Sequence, residues 1–158
     1  VRQIARSEQD TEELGARLAR ARPAVREFAV LFLTGELGAG KTTLVRGFLR
    51  AQGISAAVRS PTYTLVELYR CGDFSVLHAD LFRLRDPGEL DALGLREWAQ
   101  NGYLWLIEWP ERGHGHLPPP DLTLSFHVLS EAHAIDIQTH STLGERWLGN
   151  LPPPESSR

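Results

Sequence analysis

The chain has 158 residues, 42% hydrophobic and 23% charged, a size and composition that suit one soluble domain with its own core. A formal net charge of -3 argues against a generally basic DNA or RNA binder, and the single cysteine, Cys71, excludes an internal disulfide. No apolar run approaches the ~20 residues that span a bilayer, and the opening Val-Arg-Gln-Ile-Ala-Arg-Ser-Glu lacks a signal-peptide pattern, so a cytoplasmic protein without membrane contact is expected.

The predicted elements begin with a helix from near Thr11, where Glu12 and Glu13 suit a helix N-terminus and Leu14 and Leu18 recur at helical spacing; Pro23 closes it. Phe28 to Thr34 is a continuous apolar run, as in a strand buried on both faces. A glycine-rich turn over 35–41 leads into a helix over 42–52, stopped by Gly53. Ser60-Pro61-Thr62 is non-helical, because proline disfavours α geometry at the residue before it.

Strands over 64–70 and 74–78 form a hairpin through Cys71-Gly72-Asp73. Asp86-Pro87 caps and opens a short helix that runs to about Leu93. Asn101-Gly102 turns into a second apolar strand, Tyr103 to Ile107, and a Gly-, His- and Pro-rich loop covers 112–120. Strands over 122–129 and 134–140 pair antiparallel, and a helix over 142–148 closes the chain. A βα unit followed by hairpins implies an α/β fold, a three-layer sandwich around a mixed parallel and antiparallel sheet. Residues 1–151 are read as one domain and 152–158 as a disordered tail.

Gly35-Glu36-Leu37-Gly38-Ala39-Gly40-Lys41-Thr42 matches the G-x-x-x-x-G-K-[ST] phosphate loop in full, between a strand and a helix as that loop requires. Glycines let the backbone curl so that successive amides point at phosphate, and the helix that follows adds the positive end of its dipole. Glu36, Leu37, Gly38, Ala39, Gly40, Lys41, Thr42 and Thr43 are therefore the expected nucleotide-binding residues. In such a loop the lysine reaches the β and γ phosphates and the Thr42 hydroxyl ligates Mg²⁺. Thr43 either bonds the α-phosphate or is an ordinary first-turn threonine. Sixteen of the seventeen basic residues are arginine, and the one lysine is Lys41, at the position that needs a compact ammonium.

A magnesium–nucleotide site also needs a carboxylate at the end of a neighbouring strand. Glu108 ends Tyr-Leu-Trp-Leu-Ile and fits that place. Asp80 follows a second strand in His78-Ala79-Asp80, where period-two geometry sets His78 and Asp80 on one side. Asp80 either serves the attacking water or joins the metal shell. Lys41, Asp80 and Glu108 form the expected catalytic set, and Thr42 and Glu108 the metal pair. His114, His116, His127, His133 and His140 show no zinc-like spacing with cysteine.

A guanine-reading Asn-Lys-x-Asp segment is impossible with no second lysine, which points to ATP. No long arginine-rich lid is evident, although Arg83 and Arg85 leave a small-molecule P-loop kinase as one alternative. A nucleotide-gated binding module with little hydrolysis is another. The charge is uneven: residues 1–60 carry ten basic and six acidic side chains (+4), residues 61–158 seven and fourteen (-7). Two solvated faces explain this, or else an electropositive phosphate end opposite an acidic partner surface.

Four ordered segments resemble the TsaE (YjeE) family of P-loop ATPases: 35–43, Ser-Pro-Thr-Tyr-Thr-Leu-Val at 60–66, His-Ala-Asp-Leu-Phe-Arg-Leu at 78–84, and Ile-Glu-Trp-Pro-Glu at 107–111. The resemblance covers the chain from about Thr11 to the final strands. It implies Mg²⁺-dependent ATP hydrolysis in support of a TsaB–TsaD pair, which places threonylcarbamoyl on adenosine 37 of tRNAs reading ANN codons; tRNA contact would be indirect. It makes 60–62 a switch loop, Asp80 and Glu108 the acidic pair, and Trp109 a neighbour of the site. Thr11 matches a family threonine beside the nucleotide, with helix capping as its other role. Two positions depart: Phe82 replaces the usual tyrosine, and Ala132-His133 stands where many members carry a Gly-Arg turn, which puts a nucleotide contact there in question.

Overall fold

The computed structural model describes residues 1–24, 27–55, 57–61 and 63–155. In chain order the elements are β1 (Arg2–Ala5), α1 (Glu8–Ala21), β2 (Ala29–Thr34), α2 (Lys41–Ala51), β3 (Val66–Cys71), β4 (Phe74–Asp80), α3 (Glu89–Ala92), β5 (Tyr103–Glu108), β6 (Leu122–Val128), β7 (His133–Thr139) and α4 (Thr142–Gly149). Two 3₁₀ turns, Leu95–Trp98 and Pro110–Gly113, flank β5. The strands form one sheet in the order β1-β7-β6-β2-β5-β4-β3.

Strand β2 runs parallel to both β5 and β6, and β4 parallel to β5, whereas β3, β7 and β1 pair antiparallel with their neighbours. Two antiparallel steps bring β1 back to the direction of β6. Strands β1, β6, β2, β5 and β4 therefore all end along one edge of the sheet, at Ala5, Val128, Thr34, Glu108 and Asp80. Open α/β sheets place ligands at that edge.

The central strands are buried on both faces, and successive residues serve opposite cores. Leu31, Leu33, Leu104 and Leu106 meet α1, α2 and α4, while Val30, Trp105 and Ile107 pack with Leu81, Leu90 and Leu95 on the other side. This is the expected three-layer α/β sandwich with a mixed sheet. Helices α1 and α2 touch through glycine: a Cβ on Gly15 would lie 2.1 Å from the Leu44 carbonyl oxygen, and one on Gly47 would lie 2.0 Å from that of Glu12. Glu12 bridges the seam further with Arg46 at 3.5 Å and Arg50 at 3.1 Å.

Several local expectations are corrected. Strand β1 was not anticipated, because four residues at the sheet edge give too short an alternation to register. Helix α1 starts at Glu8, not near Thr11. Ser7 caps it by accepting the Asp10 amide at 3.1 Å, and Asp10 in turn accepts the amide of Arg6, the residue before the cap, at 2.9 Å. Strand β4 continues to Asp80, and Cys71 ends β3 instead of sitting in the turn. The segment after Leu151 is tied to α1 as far as Glu155: the Pro152 carbonyl accepts from Arg17 Nε at 2.8 Å, and the Glu155 amide donates to Glu13 at 2.8 Å. Residues 156–158 of the expected tail, and Thr62 of the Ser-Pro-Thr segment, lie outside the described residues.

Candidate functional site

A cleft of about 910 Å³ opens along the common edge of the five co-directional strands. Its floor is the loop between β2 and α2. Gly38 and Gly40 hold the curl with φ of +76° and +104°, a region that strains other residues. Gly35, at φ +137°, also has no room for a side chain, since its Cβ would lie 2.7 Å from the Phe126 carbonyl oxygen.

Lys41, the first residue of α2, is only 4% exposed. Its Nζ donates to the carbonyls of Gly35 at 2.5 Å and Glu36 at 2.8 Å, and stands 4.7 Å from the centre of the Trp109 ring. Burial pushes the Lys41 ammonium below the ordinary lysine range, against the opposing pull of Glu108, Asp80 and Glu111. Trp109 reaches this position through a left-handed backbone, φ +57°, directly after β5. Such a conformation in a bulky residue is strained and recurs at functional sites. Phe82 packs against Trp109 with ring centres 4.9 Å apart, and Arg112 lies over both rings.

The β2–β5 and β4–β5 pairings bring Glu108 level with Asp80 and beside the start of α2. Thr42 Oγ1 lies 3.0 Å from both Glu108 carboxylate oxygens, and His78 Nε2 lies 2.6 Å from Oε2. Asp80 is held separately, by the Ser60 hydroxyl and by the Phe82 amide at 3.0 Å. Hydroxyl and carboxylate oxygens are the donors that a small hard cation accepts. Among the described residues no three His, Cys, Asp or Glu side chains cluster to hold a metal alone. A cation at Thr42 and Glu108 would therefore need oxygens from a ligand, which is the usual arrangement for Mg²⁺ with phosphate.

Of the residues singled out in the sequence, Thr11, Leu37, Gly38, Ala39, Gly40, Lys41, Thr42, Thr43, Asp80 and Glu108 line the cleft. Glu36 is not among the described lining residues and contributes its carbonyl to Lys41. Capping is ruled out as the role of Thr11, because Ser7 is the cap and Thr11 lies one turn inside α1. The glycine seam brings Thr11 over the loop, with its Cγ2 3.4 Å from where a Gly40 Cβ would be.

One stretch escaped the sequence reading and another was only partly anticipated. Arg6, Ser7 and Glu8 line the far end of the cleft, and so does the β6–β7 turn from Val128 to His133. Ser7 followed by the acidic Glu8 and Asp10 carried the N-cap signal for the first. For the second, the family resemblance pointed to Ala132-His133 alone, and Val128 to Glu131 gave no signal beyond their position after a strand. The Ala132-His133 turn does border the loop: His133 Nδ1 is 3.5 Å from the position of a Gly40 Cβ.

Comparison with known proteins agrees with this architecture. The family model described as Threonylcarbamoyl adenosine biosynthesis protein TsaE matches residues 5–137. The tRNA threonylcarbamoyladenosine biosynthesis protein TsaE of Haemophilus influenzae is 42% identical over 116 residues, 73% of each chain. The protein of that name from Treponema pallidum is 34% identical over 133 residues, 84% of this chain and 96% of its own. The crystal structure of Bacillus subtilis YdiB superposes with a TM-score of 0.78 at 26% identity, covering 96% of this chain and 93% of that one. The chain belongs to the TsaE family.

Proposed function

We propose that this chain is a cytoplasmic Mg²⁺-dependent ATPase that supports threonylcarbamoyladenosine formation at adenosine 37 of tRNAs reading ANN codons. It acts with a TsaB–TsaD pair, and tRNA is met through that complex. The pathway follows from the names that its relatives carry. The observation that carries the ATPase reading is the meeting of Lys41, Thr42 and Glu108 at one end of a glycine-curled loop.

The residues present fit the groups that this reading requires. Gly38 and Gly40 leave a cradle bare of side chains, and the oxygens of Thr42 and Glu108 are hard donors suited to Mg²⁺. Backbone amides of 37–42 and the Lys41 ammonium take the phosphates. Thr42 and Glu108 would hold the magnesium ion, which would supply positive charge to offset the charge that develops on the phosphates. Asp80 orients the attacking water, and its own direction is fixed by Ser60 and the Phe82 amide. Arg83 and Arg112 lie over aromatic rings, Tyr63 for the first and Phe82 and Trp109 for the second. Arg6 and Arg83 line the cleft, but the sequence offers no obvious arginine finger, so the isolated chain is expected to hydrolyse slowly until a partner or a moved loop supplies one.

Reconstitution with cognate TsaB and TsaD tests the proposal. Lys41→Ala and Glu108→Ala should both abolish multi-turnover tRNA modification. Lys41→Ala should also lose tight ATP binding, whereas Glu108→Ala retains it. Full modification by either variant would refute an ATP-driven role, and equal modification with a non-hydrolysable analogue would favour a nucleotide-gated module.

A further inference from the structure

Strand β4 sends alternate side chains toward α2. Phe74 and Val76 join the apolar core there, and His78 and Asp80 follow on the same face. Its parallel neighbour β5 does likewise, with Leu106 opposite His78 and Glu108 opposite Asp80. His78 is fully buried, at a place where the strand's pattern calls for an apolar residue.

The polar contact that His78 makes is with Glu108 Oε2 at 2.6 Å, and its Nδ1 is buried with no partner among the described residues. In such surroundings a bare ring nitrogen costs less than an unpaired N–H. The imidazole therefore carries its proton on Nε2 and donates it to Glu108. Thr42 addresses the same carboxylate from α2, at 3.0 Å from each oxygen. Glu108 is thus held from two elements at once, while Asp80 has its own partners in Ser60 and the Phe82 amide.

We propose that His78 is a positioning residue that fixes the Glu108 carboxylate against Thr42 and thereby sets the magnesium affinity of the site. The inference rests on the reading of Thr42 and Glu108 as the magnesium pair. Outer partners that orient a ligating group typically change metal affinity by about 10–100-fold when removed.

Two variants separate this role from simple core packing. His78→Phe keeps a ring and removes the donor, and His78→Gln returns an N–H at a similar reach. Calorimetry with ATP, first in chelator and then across a magnesium titration, should show unchanged metal-free binding in both variants. His78→Phe should need about 10–100-fold more magnesium for half-saturation, and His78→Gln should recover most of that loss. Identical magnesium dependence in wild type and His78→Phe overturns the proposal. So does an equal loss of metal-free binding that His78→Gln fails to restore. If His78→Phe does not fold, His78→Gln decides alone: near-native magnesium dependence supports the role, and a shift as large as that expected for Phe refutes it.

Nitrogen-15 NMR of the ligand-free wild type gives an independent reading. A solvent-protected Nε2–H on His78 is expected, and a ring protonated at Nδ1 overturns the contact whether or not the chain binds nucleotide. A wild-type chain with that Nε2–H but indifferent to magnesium would instead overturn the reading of the site on which the inference rests.

Discussion

The two ends of the cleft are built on different terms. At the closed end, the tips of the central strands β4 and β5 abut the first turn of α2, and each charged side chain there is answered by another group: Lys41 by two carbonyls, Glu108 by Thr42 and His78, Asp80 by Ser60. At the open end, the turn before α1 and the β6–β7 connection contribute exposed side chains, Val128 and Leu129 among them. Burial accounts for the contrast. A charge withdrawn from water persists only with a fixed partner, and here the loop after β2, the first turn of α2, strand β4 and Ser60 each supply one. Residues in an exposed turn face no such demand, so their identities are less constrained by the fold.

The seam between α1 and α2 joins the ends by carrying Thr11 across the loop, and breaking it should have the largest effect on stability. Gly47→Ala would press a methyl on the Glu12 carbonyl, at 2.0 Å before relaxation. We expect a loss of about 1–3 kcal/mol, although alanine in a helix interior normally gains about 1 kcal/mol over glycine. Urea unfolding measures it, and a stabilised variant would mean the helices separate at little cost.

A smaller effect is expected from His133→Ala at the open end, where ATP affinity should fall far less than in Lys41→Ala, since His133 borders the loop from the β6–β7 turn. A loss approaching that of Lys41→Ala would erase the distinction between the ends. The smallest effect lies beyond the cleft. Arg2 on β1 meets Asp136 on β7 through two bonds of 2.7 and 2.9 Å and holds its carboxyl below the usual aspartate range. A folded-state value below that of the unfolded chain gives stability above the ordinary aspartate range, which is lost as pH falls through the folded value. Thermal unfolding of wild type and Asp136→Asn should therefore differ slightly at neutral pH and converge in acid. A gap that widens on acidification would contradict the pairing.

The closed end was legible in the sequence for the same reason that it is rigid. A phosphate loop needs glycines and a lysine at fixed spacing, and a carboxylate that closes an apolar run is seldom there for packing. Lys41, Thr42, Asp80 and Glu108 therefore stood out before any fold was known. What the sequence withheld was mostly distance. The His78–Glu108 contact crosses thirty residues of chain and depends on the β4–β5 register. The β1–β7 pairing joins opposite ends of the chain, and nothing local in Arg2–Ala5 announces it. The N-cap at Ser7 was readable from the acidic first turn behind it, and without it the start of α1 falls three residues late and Thr11 gains a capping role it does not have.

The lone lysine also has a bearing on covalent chemistry. The sixteen arginines carry guanidinium groups, inert to ordinary amine-acylating and cross-linking reagents, so the chain presents a single ε-amine. That amine lies under the Trp109 ring, in a side chain 4% exposed. Its rate of acylation is therefore a clock for how often the loop breathes, readable by mass spectrometry without adding a dye or changing a residue.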